Sequence, residues 1–484
     1  MKKSQLYFRV DGNEQIGLGH LIRSIALAQM LQNDYQAVFV CKEIPEAISN
    51  QLKDYGYILS IIENESGFLE VLNENDIVVL DHYGLDSDYQ EIIKKKGCKL
   101  VCIDDLHDKL FFADLIINHS PGINSFDYKA QIYTQFALGL EYVLLRPVFL
   151  KAAKEDRMQK AIDTVFVCFG GSDSQNITQL TVDILKADTR FQKIIIVTGA
   201  AYSALPELQI SVMGDERFSL QHAVDADTIC SLIQQAGLAI VPASGILQEV
   251  LAVGCNVISG MYIANQENIF KKYKALNAFV SAEFFSKESI LQAIDKVFDI
   301  PAVSDQKFID GRSQERLLKY FKQFQIEEEA SLRNAELNDV LKTFEWAVNS
   351  NIRQYSFNKN KIDFEDHENW FVNKIKDEAC FYYLGFLDDQ AFGSIRFDVD
   401  GDQANISYLV DPSYQNKGLG TILLKKGLEL FIKQSGRKVS TICGEVFFEN
   451  SASVKIFQKL GYTVELNHST NILRFQKKLA LDFN

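Results

Sequence analysis

Arg9-Val10-Asp11-Gly12-Asn13-Glu14-Gln15-Ile16-Gly17-Leu18-Gly19-His20-Leu21-Ile22-Arg23 is the stretch that decides how this chain reads. Before it runs Leu6-Tyr7-Phe8, an apolar, strand-forming segment. After it Leu21, Ile25 and Ala28 recur at i, i+4, i+7, the spacing of one buried helix face. Gly17 and Gly19 therefore fall in a strand-to-helix turn, where missing side chains let the backbone approach a ligand. A helix opening from such a turn aims its unpaired N–H groups and positive dipole end at the turn's occupant, a phosphate by preference. His20 stands at the edge, where an imidazole can move protons near neutral pH. A tight turn with a surface histidine is the simpler reading. The Arg9/Asp11 pair before the turn and Arg23 after it favour a site.

Outward from this turn, up to about residue 150, apolar strands alternate with helical segments. Gln36–Cys41, Ile58–Ile62, Ile77–Leu80 and Lys99–Ile103 read as strands. That rhythm predicts an α/β unit with a parallel sheet and a ligand site beyond the C-terminal strand ends. Arg9–Asp11, Asp81-His82-Tyr83 and Asp104-Asp105 all fall at such ends, although an aspartate there often caps the next helix. A second α/β unit begins with the strand Thr164–Phe169 and the turn Gly170-Gly171-Ser172-Asp173. A helix opens near Asn176, making this a second candidate phosphate cradle. Leu238–Val241 then leads into Pro242-Ala243-Ser244-Gly245 and a helix carrying Glu249, which Gly254 ends. Asn256–Ser259 leads to Ala264-Asn265-Gln266.

Composition shifts at Gln323–Ala330, where Glu327-Glu328-Glu329 suggests a linker. Beyond it, the strand Ala404–Val410 runs into Gln415-Asn416-Lys417-Gly418-Leu419-Gly420 and a helix with Leu424, Leu428 and Phe431 on one face. Gln-x-x-Gly-x-Gly between strand and amphipathic helix is a pyrophosphate loop suited to coenzyme A. The strand Val439–Val446 and the helix Ser451–Lys459, closed by Gly461, complete the pattern.

The bulk properties bound the answer. At 484 residues the chain should form about three domains. The expected boundaries are 1–150 and 151–325 for the two Rossmann-like halves and 330–484 for the last domain. A formal charge of −14 argues against nucleic acid or anionic membranes as partners. No run has transmembrane or signal-peptide length, so a cytoplasmic protein is expected. The eight cysteines have no zinc or redox spacing and are expected to be reduced and buried. No metal is expected.

The first 325 or so residues resemble the UDP-sugar hydrolases of pseudaminic acid biosynthesis, relatives of GT-B glycosyltransferases. The matching residues are Arg9-Val-Asp11 to Gly17-Leu-Gly19-His20 with Arg23, Asp81–Asp86, Asp104-Asp105-Leu106, Gly139-x-x-Tyr142-x-x-Leu145-Arg146, Gly170–Asp173, Glu249, Asn265-Gln266 and Asp310-Gly311. The last 155 or so residues resemble GNAT N-acetyltransferases, on Leu332-Arg333, His367–Trp370-Phe371, Gln415–Gly420 and Asn450–Ser453. The resemblance implies a GT-B fold of two Rossmann-like domains plus a C-terminal GNAT α+β domain, with acetyl-CoA as co-substrate. It implies acetylation of a UDP-4-amino-4,6-dideoxy sugar and hydrolysis of UDP-2,4-diacetamido-2,4,6-trideoxy-β-L-altrose. His20, supported by Asp11, would activate water. Gly17, Gly19, Arg23, Tyr83, Arg146, Gly171, Ser172, Ser244, Glu249, Asn265 and Gln266 would bind the UDP-sugar. Leu409, Val410, Gln415, Asn416, Lys417, Gly418, Leu419, Gly420, Thr421, Asn450 and Ser453 would bind acetyl-CoA. Tyr408 and Glu445 are candidates for the transferase base, and Phe457 stands where many GNAT enzymes carry a tyrosine acid. The rival readings are a GT-B glycosyltransferase, a hydrolase of a related amino sugar, or a UDP-sugar-binding module beside an active acetyltransferase.

Overall fold

The computed structural model describes residues 4–13, 18–131, 133–155, 160–299, 307–436, 439–467 and 471–479, without the side chains of residues 265 and 465–467. The chain divides into two compact units, Met1–Leu318 and Lys319–Asn484.

The first unit contains two large parallel sheets beside a two-stranded parallel ladder, Leu110–Phe111 with Lys129–Ala130. In the first, β1 (Ser4–Val10), β2 (Tyr35–Cys41), β3 (Ile58–Ile61), β4 (Ile77–Asp81), β5 (Lys99–Ile103), β6 (Leu115–Asn118) and β7 (Gln135–Leu138) lie in the order β3-β2-β1-β4-β5-β6-β7. A parallel sheet is covered on both faces, so its strands are apolar nearly throughout; every residue of β4 and β6 is buried. The order reverses at β1, whose two neighbours are β2 and β4. Such a switch point is where α/β sheets bind ligands. Here it sets the end of β4, Asp81, beside the end of β1 and the start of the helix α1 (Gly19–Leu31).

The second sheet repeats the plan. β8 (Thr164–Val167), β9 (Lys193–Thr198), β10 (Phe218–His222), β11 (Leu238–Pro242), β12 (Asn256–Gly260) and β13 (Val280–Ser281) lie in the parallel order β10-β9-β8-β11-β12-β13. Between the sheets, Arg146 opens the helix α2 (Pro147–Lys154). The second sheet's switch point, β8 beside β11, is followed by α3 (Ile177–Ala187) and α4 (Gly245–Val253). Gly254 ends α4 in the left-handed conformation, φ 96°, where glycine alone is unstrained.

Gln323–Ala330 does not form the linker that composition suggests. Residues Ser313–Glu329 form one helix, α5, within which the division between units falls. Leu317, Phe321 and Phe324, at i, i+4, i+7, are buried along it, and Glu327 pairs with Lys425. An apolar stripe of that period overrides the acidic run's preference for solvent.

In the second unit, β14 (Ser331–Asn334), β15 (Cys380–Leu387), β16 (Gln390–Asp400), β17 (Gln403–Val410), β18 (Thr441–Phe447), β19 (Thr463–Asn467) and β20 (Ile472–Lys478) follow the order β14-β15-β16-β17-β18-β20-β19. All pairings are antiparallel except β17 with β18. Those two strands pair only from Gln403/Thr441 to Ile406/Gly444. Beyond that point they run on without a shared ladder, so the sheet opens into a wedge. The helices α6 (Val340–Val348), α7 (Phe364–Lys376), α8 (Leu419–Ser435) and α9 (Ser451–Lys459) complete the unit.

Candidate active sites

His20 occupies the first turn of α1 and is buried. Its Nδ1 lies 2.5 Å from Asp81 Oδ1. Arg23, one turn on, donates from Nε and Nη2 to both Asp81 oxygens at 2.7 and 2.6 Å, and from Nη1 to Asp105 at 2.6 Å. Burial alone would raise the Asp81 pKa; the Arg23 charge and hydrogen bonds, with His20, outweigh it and hold the carboxyl below its ordinary value. An ionised Asp81 keeps the proton on His20 Nδ1 and leaves Nε2 as the acceptor. The Tyr83 ring meets the His20 ring edge-on at 4.5 Å, and its hydroxyl donates to Asp105.

Asp11 does not support His20, contrary to expectation. Its carboxylate accepts from Arg9 at 2.8 Å and from the Lys42 and Glu43 amides at 2.6 and 3.2 Å. His82 Nε2 lies 3.3 Å from Oδ2, the oxygen that also accepts from Arg9, with Nδ1 accepting from the Gly84 amide. The cause is strand alternation: consecutive residues at a strand end face opposite ways. Asp81 therefore serves His20 while His82 serves Asp11. Arg9, wholly buried, is shared between Asp11 and Glu65. Gly17 lies outside the described residues. A Cβ at Gly19 would meet no atom within 4 Å among the described residues.

His119 joins the cluster unheralded by the sequence. Its Nδ1 accepts from the Leu144 amide, which assigns the proton to Nε2. Burial first, then the Arg23 charge, push its pKa down to about 4.

In the second sheet, Gly171 and Ser172 lie exposed in their turn, but α3 behind them is not a free cradle. The Asp173 carboxylate caps it, accepting from Ile177 N at 2.9 Å and Thr178 N at 2.8 Å. The open helix start is α4, where Ser244 makes no side-chain cap and a Cβ on Gly245 would meet nothing within 4 Å among the described residues. Glu249 lies one turn below Gly245 on the same face. It accepts from Arg146 Nη2 at 2.6 Å and Nε at 3.2 Å. Burial raises the Glu249 pKa against the opposing Arg146 charge. Gln266 is buried, its Oε1 accepting from the Tyr262 amide. The Asn265 side chain lies outside the described residues.

In the second unit the glycine loop sits at the wedge mouth. Gln415, Asn416 and Lys417 are exposed, Asn416 and Gly418 have φ of 60° and 78°, and α8 starts with no side-chain cap. The first-turn amides of Gly418, Leu419 and Gly420, which have no partner among the described residues, suit a pyrophosphate, whereas the Thr421 amide donates to the Gly418 carbonyl at 3.1 Å. Leu419 and Gly420 are buried, the Leu419 side chain packing inward, so only their backbone is available to a ligand. Leu409 and Val410 edge the unpaired half of β17. Asn450 caps α9 by accepting from Ser453 N, and Ser453 Oγ accepts from Tyr408 at 2.8 Å. Glu445 is exposed on β18 across the wedge. Phe457 is core, stacked on Phe475 at 4.9 Å, and offers no acid.

Behind the wedge lies a cavity of about 550 Å³, lined by residues of α6, α7, β15, β16 and β17 and of the 358–362 loop. Among the described residues no cluster of three His, Cys, Asp or Glu could hold a metal, and no helix is long and apolar enough to cross a membrane.

Residues 345–462, spanning this cavity, loop and wedge, match the Acetyltransferase (GNAT) family model. A GNAT domain implies acetyl-CoA as co-substrate. The chain is 26% identical over 270 residues to the Campylobacter jejuni UDP-2,4-diacetamido-2,4,6-trideoxy-beta-L-altropyranose hydrolase, covering 54% of this chain and 94% of that one. It is 29% identical over 137 residues to the acetyltransferase PseH of the same species, covering 27% and 82%. With MJ1062 of Methanocaldococcus jannaschii the identity is 21% over 491 residues, covering 93% and 95%. The chain thus joins a part similar to a pseudaminic-acid-pathway hydrolase to a GNAT acetyltransferase domain.

Proposed function

We propose that the protein is a bifunctional nucleotide-sugar enzyme. The second unit acetylates the 4-amino group of a UDP-4-amino-4,6-dideoxy sugar. The first hydrolyses the resulting UDP-2,4-diacetamido-2,4,6-trideoxy-β-L-altrose to UDP and free sugar, on a GT-B arrangement of its two sheets. The observation that carries the hydrolase half is His20, fixed by Asp81 at the helix start Gly19 with Nε2 as acceptor.

In the hydrolysis, a water oxygen attacks the anomeric carbon. His20 Nε2 takes its proton, and the bond to the phosphate oxygen breaks with its electron pair leaving on UDP. Asp81 holds the imidazole in the accepting tautomer and stabilises the imidazolium. The open start of α4 and the Gly171–Ser172 turn stabilise the leaving diphosphate without a metal. Glu249, whose carboxylate Arg146 positions, accepts from the ribose hydroxyls, and Tyr83 faces the sugar.

The test is UDP release from the UDP-4-amino sugar, with and without acetyl-CoA. Release only with acetyl-CoA is expected. No release from the pre-acetylated sugar would overturn the hydrolase half.

A further inference from the structure

The acetyl transfer needs something to take the amine's proton, and neither side of the wedge supplies it well. Glu445 is exposed, and burial pushes the Tyr408 pKa up to about 12 while its proton is directed to Ser453. The cavity behind the wedge holds another group. His367, on α7, is 5% exposed and lines the cavity together with Tyr408 and Leu409, which border the wedge.

Its Nε2 lies 3.0 Å from Thr343 Oγ1 on α6. Thr343 Oγ1 also lies 3.0 Å from the backbone oxygens of Asp339 and Val340. A threonine in mid-helix donates back to the carbonyl a turn earlier. With its one proton committed there, Oγ1 accepts from His367 Nε2–H, and the Nδ1 lone pair has no partner among the described residues. A buried imidazole with a fixed tautomer and an unused acceptor, in the wall of a cavity, is a proton acceptor awaiting a donor.

We propose that His367 Nδ1 is the proton acceptor of the acetyl transfer, directly or through one water; this rests on the acetyltransferase reading above. The sugar ammonium gives a proton to Nδ1, and the free amine attacks the thioester carbonyl carbon. A C–N bond forms, the C–S bond breaks with its pair leaving on sulfur, and the nitrogen's second proton goes to the thiolate through solvent. Products are the acetamido sugar, CoA thiol and one proton, which leaves His367 for solvent.

The groups facing His367 are consistent with this role. On its own helix stand Asp366 and Trp370, from α6 come Thr343 and Phe344, from β15 Tyr382, from β16 Arg396 and from the nearby loop Lys361. Arg396 is paired with Asp398 at 2.8 Å. Burial holds the imidazole below its ordinary value of 6.5, so it is neutral and able to accept at pH 7.

The experiment is CoA thiol release from acetyl-CoA and UDP-2-acetamido-4-amino-2,4,6-trideoxy-β-L-altrose by the full chain. His367→Gln should lose about a hundredfold in kcat, with acetyl-CoA binding by calorimetry unchanged, and added imidazole should restore His367→Ala. Thr343→Val, which keeps the imidazole but frees its tautomer, should lose less. In the wild type, the plot of log kcat/KM against pH should be flat from the amine's pKa down to a midpoint under 6.5 and fall with slope one below it, whereas the glutamine variant, which needs the amine already free, should fall with slope one from the amine's pKa downward. A folded His367→Gln with kcat within threefold of wild type would overturn the proposal. If the variants do not bind acetyl-CoA, a wild-type plot that falls with slope one from pH 8 to pH 5, with no flat region, overturns it instead. No transfer by a wild type that binds acetyl-CoA would remove the acetyltransferase reading itself.

Discussion

At the scale of single residues, the first unit's site turns on which carboxylate faces His20. Asp81→Asn leaves the packing nearly isosteric but offers an amide where the imidazole needs an anion. UDP release should fall by about a thousandfold in kcat, while UDP binding by calorimetry stays. Asp11→Asn touches no atom of His20, so its loss should appear chiefly as a lower melting temperature through Arg9. His119 supplies a pH test. Its folded pKa, about 4, lies below the ordinary 6.5, so in that window unfolding takes up a proton. The first unit's stability should therefore fall as pH drops from 6.5 towards 4, and His119→Asn should flatten that slope in urea titrations. The helix start at Gly19, His20 and Arg23 were legible because they are neighbours in the chain. Asp81 was legible as a strand-end acid but not as the partner of His20. Its place, 61 residues away, follows from β4 pairing with β1, which no local pattern encodes.

At the scale of elements, two glycines in the second unit carry opposite burdens. Gly418 sits at φ 78°, where a Cβ is strained and would also press on the Gln323 side chain, 3.2 Å from its Nε2. Gly418→Ala should cost about 1 kcal/mol of stability and weaken acetyl-CoA binding, measured by calorimetry. Gly444 has ordinary dihedrals, but its Cβ would lie 2.6 Å from Phe457 Cζ, which Phe475 backs by stacking. Gly444→Ala should cost about 1–3 kcal/mol by overpacking, seen as a lower melting temperature. Strands and helix starts could be read from apolar runs and glycines. The acidic run at 327–329 misled, because the stripe of Leu317, Phe321 and Phe324 that makes it helical lies mostly upstream of it. The cap Asp173 places on α3 was likewise hidden, since the same sequence serves a phosphate turn or a self-capped helix.

At the scale of the whole molecule, two units of different sheet chemistry share one chain. Acetyl-CoA should slow backbone hydrogen exchange within 319–484 and UDP within 1–318; each ligand stabilises only what it binds. Exchange followed by mass spectrometry separates the two. The wedge between β17 and β18 has a consequence for the proposed pair of reactions. Its unladdered backbone from residue 407 onward, with the glycine loop beyond it, would grip the carrier by its arm and phosphates, not by its two-carbon cargo. Loaded and spent carrier then compete for one slot on nearly equal terms. The flow of acetylated sugar to the hydrolase would follow the cell's ratio of acetyl-CoA to free CoA, making sugar output a gauge of carbon supply.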